Sequence, residues 1–428
     1  MTRWLSEARS LALDITPLRH SPGFRALWFG QVVSLVGTQM RYVAVLWQVF
    51  ELTRSNFAVG LIGLIELVPL IVFSFVGGAL ADRHDRRRLT AGADIGLLVT
   101  VLALMGVSLG SDPSVLWVYV IVALASALEA IEQPARTAMV PALVAPAQLP
   151  SAIALRQVGF QVTQIVGPAL GGILIASFSV AWVYAIDAAT FVAALIALRW
   201  IPATIPERTD AASGLESVRQ GTRFVLRTPL ILSIFLVDIV AMVFGMPRAV
   251  FPALAERTFR MGATGLGLLY AAPAMGALVG ALTTGWVPRV RRQGVGVLVA
   301  VGVWGACITL AGLSLGSLIA TLVWLALAGA ADVFSAIFRG TMLQEASPDG
   351  LRGRVSAVNL MVVRGGPRLG DVEAGAVASL IGAPGSVIFG GLACLLGTGV
   401  VAARFGSLRR YTRPTIVTSA APGQAEDG

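Results

Sequence analysis

Lysine is absent from this 428-residue sequence, so all 32 basic residues are arginine. A Walker A loop and Schiff-base chemistry both require lysine, and we therefore expect no ATPase of that type. The sequence has two cysteines, Cys307 and Cys394, and two histidines, His20 and His84. These residues are too few and too widely separated for a disulfide framework or a metal site, so we predict no metal and no cofactor.

Charged residues are also scarce, at 13%, whereas 56% of the residues are hydrophobic. Apolar stretches of about 20 residues recur along the chain, which is the length that a helix needs to cross a bilayer. Because the bilayer offers no water to unpaired backbone groups, these stretches must be helical. We predict an all-α membrane protein with twelve transmembrane helices, near residues 26–50, 57–80, 89–110, 114–140, 152–177, 180–201, 229–252, 264–287, 293–314, 316–340, 354–380 and 384–405.

The arginines are distributed unevenly between the two sides of this predicted topology. If the N-terminus is cytoplasmic, the arginine clusters within 83–88 and 289–292 face the cytoplasm, whereas the opposite loops hold Arg54, Arg257 and Arg260. Basic loops favour the cytoplasmic side, so we predict both termini inside the cell and a location in the cell inner membrane. The arginines of the cytoplasmic loops then account for the net charge of +9. We therefore expect the lipid bilayer as a partner but no nucleic acid.

The longest polar connection is 202–228, in which Arg219, Arg223 and Arg227 recur every four residues. This spacing predicts an amphipathic helix on the membrane surface. The predicted domains are an N-terminal cytoplasmic segment (1–25), a first six-helix half (26–201), this linker (202–228), a second half (229–405) and a disordered cytoplasmic tail (406–428).

The two predicted halves are related by one constant offset. A shift of 203 positions superposes Arg86 on Arg289, Glu129 on Asp332 and Arg136 on Arg339. Because each half has an even number of helices, the halves are parallel repeats related by an axis along the membrane normal.

The loop after the second predicted helix carries Gly78, Asp82, Arg83, Arg86 and Arg87. It resembles the signature G-x-x-x-D-R-x-G-R-R of the major facilitator superfamily, with Asp85 in place of the second glycine.

Asp82 ends a helix where the helix dipole disfavours an anion, so it needs an arginine or the N-terminus of another helix, such as predicted helix 11. We expect a conformational gate here, to which Arg136 and Arg339 also belong. An ordinary basic membrane anchor is the alternative.

Predicted helix 5 contains the run Gly167-Pro168-Ala169-Leu170-Gly171-Gly172. This run resembles the G-P-x-x-G-G motif of exporters in the same superfamily. Gly167 and Gly171 belong to a ridge of small residues spaced by four, and Gly276 and Gly280 belong to a similar ridge on predicted helix 8. We expect the two ridges to pack together, and packing without a mechanistic role is the alternative.

Further segments within residues 20–405 resemble the enterobactin-exporter branch of the superfamily: Gln133–Arg136, Met139–Leu143, Phe251–Ala255, Gly267–Ala272 and Gly370-Asp371. The resemblance implies the major facilitator fold, a monomer, and a secondary active exporter rather than an enzyme.

Charged residues within predicted membrane helices are costly and point to function. Burial of a carboxylate favours its protonated form, so Glu129 and Asp332 are the leading candidates for proton exchange. The alternative is that each is held by the arginine of its own helix, Arg136 or Arg339, as a structural pair. Glu132 and Asp371 are further proton-exchange candidates.

Other polar residues in the predicted helices are candidates for a substrate cavity: Arg41, Glu66, Gln161, Gln164, Asp238, Arg364 and Arg368. Arg364 and Arg368 lie one turn apart and could bind the carboxylate or catecholate oxygens of an anionic substrate. Arg41 and Glu66 lie at equal depth on consecutive helices, and a buried salt bridge between them is the alternative.

Together these features predict a secondary active transporter that exports a small organic molecule in exchange for protons, by alternating access and with the proton gradient as its energy source. The resemblance implies a siderophore-like or other anionic secreted metabolite. The alternative is a proton-driven multidrug efflux pump for lipophilic compounds.

Overall fold

The computed structural model describes residues 14–203 and 214–413. Within these ranges the regular structure is helical and contains no β-strand. Ten helical segments in the described chain are long and apolar enough to span a membrane. The prediction of an all-helical, multi-pass membrane protein is therefore confirmed.

The long helices follow one another along the chain, and we number them α1 to α12. They are α1 (Pro22–Thr53), α2 (Asn56–Ala81), α3 (Arg86–Leu109), α4 (Val115–Leu143), α5 (Leu149–Ser177), α6 (Val180–Leu198), α7 (Pro229–Phe244), α8 (Gly262–Leu282), α9 (Gln293–Leu313), α10 (Leu318–Ala346), α11 (349–381) and α12 (383–404). Gly382 separates the last two, and its φ of 80° is a conformation that glycine adopts without strain.

The ten apolar segments comprise α2 to α10, with α7 continued to Thr258, and the whole of Asp349–Arg404. The predicted helix ranges agree with the structure to within six residues at each end except at α7. That helix ends at Phe244, before the predicted 252, where Gly245 and Pro247 follow, because glycine is a weak helix former and proline lacks the N–H that a helix interior needs. A 3₁₀ turn at Arg248–Val250 comes next.

Short connections make consecutive helices antiparallel. Arg54 and Ser55 alone join α1 to α2. Arg54 ends α1 with a φ of 52°, and the Ser55 hydroxyl accepts a hydrogen bond from the Ala58 N–H at the start of α2. We call the face that carries the start of α1 and residues 82–85 the terminal face. The face that carries Arg54 is the opposite face.

Helices α1–α6 pack as one half and α7–α12 as the other, and the halves meet where α2 crosses α11 and α5 crosses α8. Glycine brings the backbones together at both crossings. A methyl group at Gly60 would lie 2.5 Å from the Asp371 carbonyl oxygen, and one at Gly267 would lie 2.6 Å from the Pro168 carbonyl oxygen. Any larger residue at these positions would push the halves apart.

The predicted packing of two glycine ridges against each other is wrong. Gly167 and Gly171 pack on α1, while Gly276 and Gly280 pack on α10. The reason is that both helices carry small residues on more than one face, and spacing alone does not say which neighbour each face meets. The contact between α5 and α8 is made instead by Pro168, Gly172, Ala263 and Gly267.

The linker contains a helix at Gly214–Arg227, as the arginine spacing predicted, and residues 204–213 lie outside the described residues. Val225 of this helix is buried. A methyl group at Gly221 would lie 2.6 Å from the Arg354 carbonyl oxygen, so the linker helix rests on the first turns of α11. The domain boundaries given above stay predictions.

The prediction of disorder from residue 406 is wrong for 406–413. Gly406–Arg410 forms a short helix whose Leu408 is fully buried. Beyond it, Arg413 donates to Glu345 Oε1 at 2.8 Å and the Tyr411 hydroxyl to Glu345 Oε2 at 2.9 Å. An apolar anchor and an ion pair therefore hold this segment, whereas residues 414–428 lie outside the described residues.

Candidate functional site

Arg41 of α1 is buried between two acidic residues of other helices. Its guanidinium lies 2.7 Å from Glu129 Oε1 on α4 and 3.0 Å from Asp187 Oδ2 on α6. The predicted alternative, a salt bridge between Arg41 and Glu66, is wrong, because Glu66 binds Arg368. With its side chain 7% exposed, Arg41 also does not form the wall of a cavity in this conformation.

Arg136 of α4 forms a second cluster of the same kind. Its guanidinium lies 2.8 Å from Asp94 Oδ1 on α3 and also contacts Glu132, one turn earlier on α4. The prediction that Glu129 is held by Arg136 is therefore wrong, because other carboxylates occupy that arginine.

Arg339 of α10 forms the third cluster. It lies 2.9 Å from Asp238 Oδ1 on α7 and 3.8 Å from Asp332 Oδ1 on its own helix. Asp332 is thus held by the arginine of its own helix, as the structural alternative predicted. The prediction that Asp238 lines a substrate cavity is wrong for this conformation, because its side chain is 3% exposed and bound to Arg339.

The three clusters share one arrangement, in which a single arginine meets two carboxylates. One carboxylate comes from a neighbouring helix and is almost fully buried: Asp187, Asp94 or Asp238. The other is on α4 or α10 and is more exposed: Glu129 at 34%, Glu132 at 13% and Asp332 at 28%. Since one guanidinium neutralises one carboxylate, each cluster has an acidic group that can bind or release a proton without leaving its arginine unpaired.

A further polar group joins the two halves in the part of the bundle nearer the opposite face. Arg368 Nε of α11 donates to Glu66 Oε2 of α2 at 3.0 Å. One turn away along α11, Asp371 Oδ2 accepts from Arg248 at 3.1 Å and from the Tyr42 hydroxyl of α1 at 3.4 Å. Glu66 and Arg368 are predicted cavity residues, and they pair with each other between the halves. Asp371 is a predicted proton-exchange residue, and it accepts hydrogen bonds from Arg248 of its own half and from Tyr42 of the other half.

The loop between α2 and α3 does not make the predicted gate contact in this conformation. Asp82 ends α2 with its side chain exposed, and it forms no ion pair or side-chain hydrogen bond among the described residues. Arg86 donates to the Ala138 carbonyl of α4 at 3.0 Å, which ties the loop to its own half. A methyl group at Gly78 would meet nothing within 4 Å, and Arg83 is exposed.

Asp85, which replaces the glycine of the superfamily signature, caps the N-terminus of α3. Its side chain accepts a hydrogen bond from the Arg87 N–H at 3.0 Å. Its φ is −57°, so this position does not need the conformational freedom of glycine. The departure from the signature is compatible with the loop because aspartate is a favoured N-cap residue.

Three of the predicted cavity residues, two glutamines and one arginine, lie near the middle of their helices and outside the charge clusters described above. Gln161 and Gln164 are half-buried on α5, and the Gln164 Oε1 atom has no hydrogen-bond partner among the described residues. Arg364 on α11 is half-buried, its side chain forms no ion pair or hydrogen bond in the described chain, and its charged neighbours include Glu129 and Arg368.

Sequence reasoning did not single out Asp94, Arg248, Tyr42 or Tyr270. Asp94 and Arg248 could have been found, since both are charged residues within or beside an apolar run and such residues are functional candidates by default. No sequence signal distinguishes the two tyrosines, which are important only because of the neighbours that the fold gives them.

Apolar helices packed in two halves, with charge clusters buried among them, are the architecture of a polytopic membrane protein. The family described as transmembrane secretion effectors matches residues 12–420. The chain belongs to this family of the major facilitator superfamily.

Named relatives agree with this membership. The enterobactin exporter EntS of Citrobacter koseri is 30% identical over 422 residues, which cover 97% of this chain and 99% of that exporter. EntS of Shigella boydii is 30% identical over 357 residues, covering 82% of this chain and 84% of the exporter. Among solved structures, a bacterial homologue of the iron transporter ferroportin in an inward-facing state superposes with a TM-score of 0.68 at 15% identity, covering 90% of this chain and 98% of that one.

Removing the arginine of a cluster should destabilise the protein. We expect Arg339→Leu to lower the free energy of unfolding by about 3–5 kcal/mol, because Asp238 and Asp332 lose their cation inside the membrane. Thermal or chemical unfolding in detergent measures the change. The matched control is Arg413→Leu, whose pair with Glu345 is part-exposed and whose loss should cost about 0–1 kcal/mol. Equal losses in the two variants would contradict the structural role of the cluster.

Proposed function

We propose that the protein exports a siderophore-like, anionic small metabolite across the cell inner membrane in exchange for protons. The observation that carries this proposal is the similarity to enterobactin exporters, which extends over nearly the whole chain at 30% identity. The buried clusters support exchange for protons, because each contains a carboxylate that can be protonated. Arg364, which has no ion pair in the described chain, supports an anionic cargo. No second chain is needed for these features, so the proposed unit is a monomer.

The proposed topology has twelve membrane-spanning helices with both termini in the cytoplasm. α1 has 32 residues, and α11 and α12 each exceed the length of about 20 residues that a spanning helix needs. The terminal face carries the arginines of residues 83–88 and 289–292, and basic loops favour the cytoplasmic side. The opposite face would then be the outer face.

Glu129 and Asp332 are the proposed proton carriers. Each is the more exposed carboxylate of its cluster, and a helix rise of about 1.5 Å per residue places both near the middle of their helices. The 203-residue offset relates them, so they occupy matching positions in the two halves. Substrate and ion sites of transporters with repeated halves lie near this depth.

Arg364 is the proposed binding residue for an anionic group of the cargo. An unpaired arginine in a membrane helix is costly unless water or a ligand neutralises it. Arg368, one turn away, is occupied by Glu66, which leaves Arg364 as the guanidinium near the middle of α11 that can take a carboxylate or catecholate oxygen.

The proposed function is tested by comparing the culture medium of strains with and without the gene, under iron-starved and iron-replete growth. We expect the deletion strain to retain an iron-binding metabolite inside the cell and to restore its secretion when the gene is returned. Mass spectrometry of medium and cells measures both. Unchanged secretion of every iron-binding metabolite would overturn the cargo assignment and favour efflux of lipophilic compounds.

Glu129→Gln should uncouple transport from the proton gradient while leaving the protein folded. Arg41 keeps Asp187 as its counter-ion in this variant, so no cation is left unpaired. In proteoliposomes, we expect gradient-driven accumulation of cargo to be lost while exchange of cargo down its own gradient continues. Glu345→Gln, at an ion pair near the end of α10, is the control and should keep coupled transport. Full gradient-driven transport by Glu129→Gln would remove Glu129 from the mechanism.

Arg364→Gln should weaken cargo binding by about 10- to 100-fold, because hydrogen bonds to charged groups contribute about 1.5–3 kcal/mol. The change should appear in KM for an anionic substrate and leave KM for a neutral analogue nearly unchanged. Arg352→Gln is the matched control, since Arg352 lies on the first turn of the same helix and pairs with Asp349. An equal effect on anionic and neutral substrates would show that Arg364 does not recognise the charge.

A further inference from the structure

Tyr42 of the first half is surrounded by residues of the second half. Its ring meets Tyr270 edge-on, with ring centroids 5.8 Å apart, and the Arg248 guanidinium lies 5.9 Å from its ring centroid. Its hydroxyl donates to Asp371, which Arg248 also binds. With the Glu66–Arg368 pair beside it, Tyr42 therefore belongs to a half-buried polar layer between the halves, in the part of the helices nearer the opposite face.

A second set of contacts closes the surface of the opposite face. Arg257 donates to the Arg54 carbonyl at 2.9 Å, and Arg54 lies 3.7 Å from Glu256. The guanidinium groups of Arg54 and Arg257 both lie over the ring of Phe50, at 5.9 and 5.2 Å. Arg54 and Arg257 are separated by the repeat offset of 203, so equivalent residues of the two halves meet here.

Hydrogen bonds and ion pairs of these two sets join α1–α6 to α7–α12 on this side of the bundle. The glycine-mediated approach of α2 to α11, at Gly60 and Gly375, lies beside the polar layer, about one turn nearer the opposite face.

We propose that the Glu66–Arg368 pair and the Tyr42–Asp371–Arg248 group form a latch that keeps the opposite face shut, and that the latch must break for cargo to leave there. Breaking it would expose the half-buried Glu66 and Arg368 fully to water, which would stabilise the separated charges, whereas an unpaired charge is costly in the closed layer. The latch residues are positioning residues, because none of them needs to touch the cargo.

Hydrogen bonds connect the latch to the proposed transport site near the middle of α4 and α11. Ser126 of α4 donates to the Glu66 carbonyl at 2.8 Å, and Glu129 follows Ser126 by one turn. Arg368 donates to the Arg364 carbonyl at 2.8 Å, one turn earlier on α11. A movement of α4 or α11 on binding therefore shifts one partner of the Glu66–Arg368 pair.

The test measures distances between spin labels in the full-length protein in lipid nanodiscs, with Cys307 and Cys394 replaced by alanine. One label pair, Phe57→Cys and Met261→Cys, reports on the opposite face. A second pair, His84→Cys and Gly350→Cys, reports on the terminal face. All four positions are exposed.

We expect Glu66→Arg or Arg368→Glu to raise the ratio of long to short distances at the opposite face by about tenfold or more, since like charges then meet in the polar layer. The terminal-face distance should shorten in the same samples. The exchanged double variant, Glu66→Arg with Arg368→Glu, should return both distances towards those of the parent. Glu345→Arg, which breaks the ion pair with Arg413 inside one half, is the control and should change neither distance.

Unchanged opposite-face distances in the single variants, or no restoration in the exchanged variant, would overturn the latch. If charge reversal prevents folding, Glu66→Gln leaves Arg368 unpaired with little change in shape, and unchanged distances in that folded variant would overturn it equally. The proposal rests on alternating access but on neither the cargo nor the proton, so these distances can fail while the secretion test succeeds, and the reverse.

Discussion

A guanidinium remains charged at every physiological pH, and within a membrane it must lie against an anion or water. Much of the architecture follows from this constraint. Arg41 connects α1 to α4 and α6, Arg136 connects α4 to α3, and Arg339 connects α10 to α7. Because the planar guanidinium presents several donors at once, one arginine can hold carboxylates from two helices, which a lysine ammonium does less well. The absence of lysine from the sequence agrees with this use.

The same constraint distinguishes two kinds of charged group, the three arginine clusters within the halves and the ion pair between the halves. Each of the three clusters has two carboxylates and one arginine. One carboxylate can therefore be protonated while the other still neutralises the arginine. Between the halves, Glu66 and Arg368 match one to one, and each neutralises the other. The halves are also unequal, because Glu129 pairs with an arginine of another helix whereas its repeat partner Asp332 pairs with Arg339 of its own.

Glycine brings the two halves into close contact beside these charges. α5 carries small residues on two adjacent faces, with Gly167 and Gly171 against α1 and with Pro168 and Gly172 against α8. The exporter-type motif therefore packs one helix against its own half and against the other half at the same time. Small residues at both faces let the helix backbones approach closely.

The helices, their approximate ends and the family follow from the amino-acid sequence alone. Each apolar run of about 20 residues is a local signal, and the solvent decides its structure whatever its neighbours are. The residues that carry charge could also be found, since a charged residue in an apolar run is conspicuous. Only the tertiary structure decided the partners. Arg41 and Glu66 lie at similar depths in consecutive helices and do not meet, whereas Arg41 meets Glu129, far along the chain. Partnership depends on which helices are neighbours and on how each is rotated about its axis, and neither is encoded in the spacing of residues along one helix.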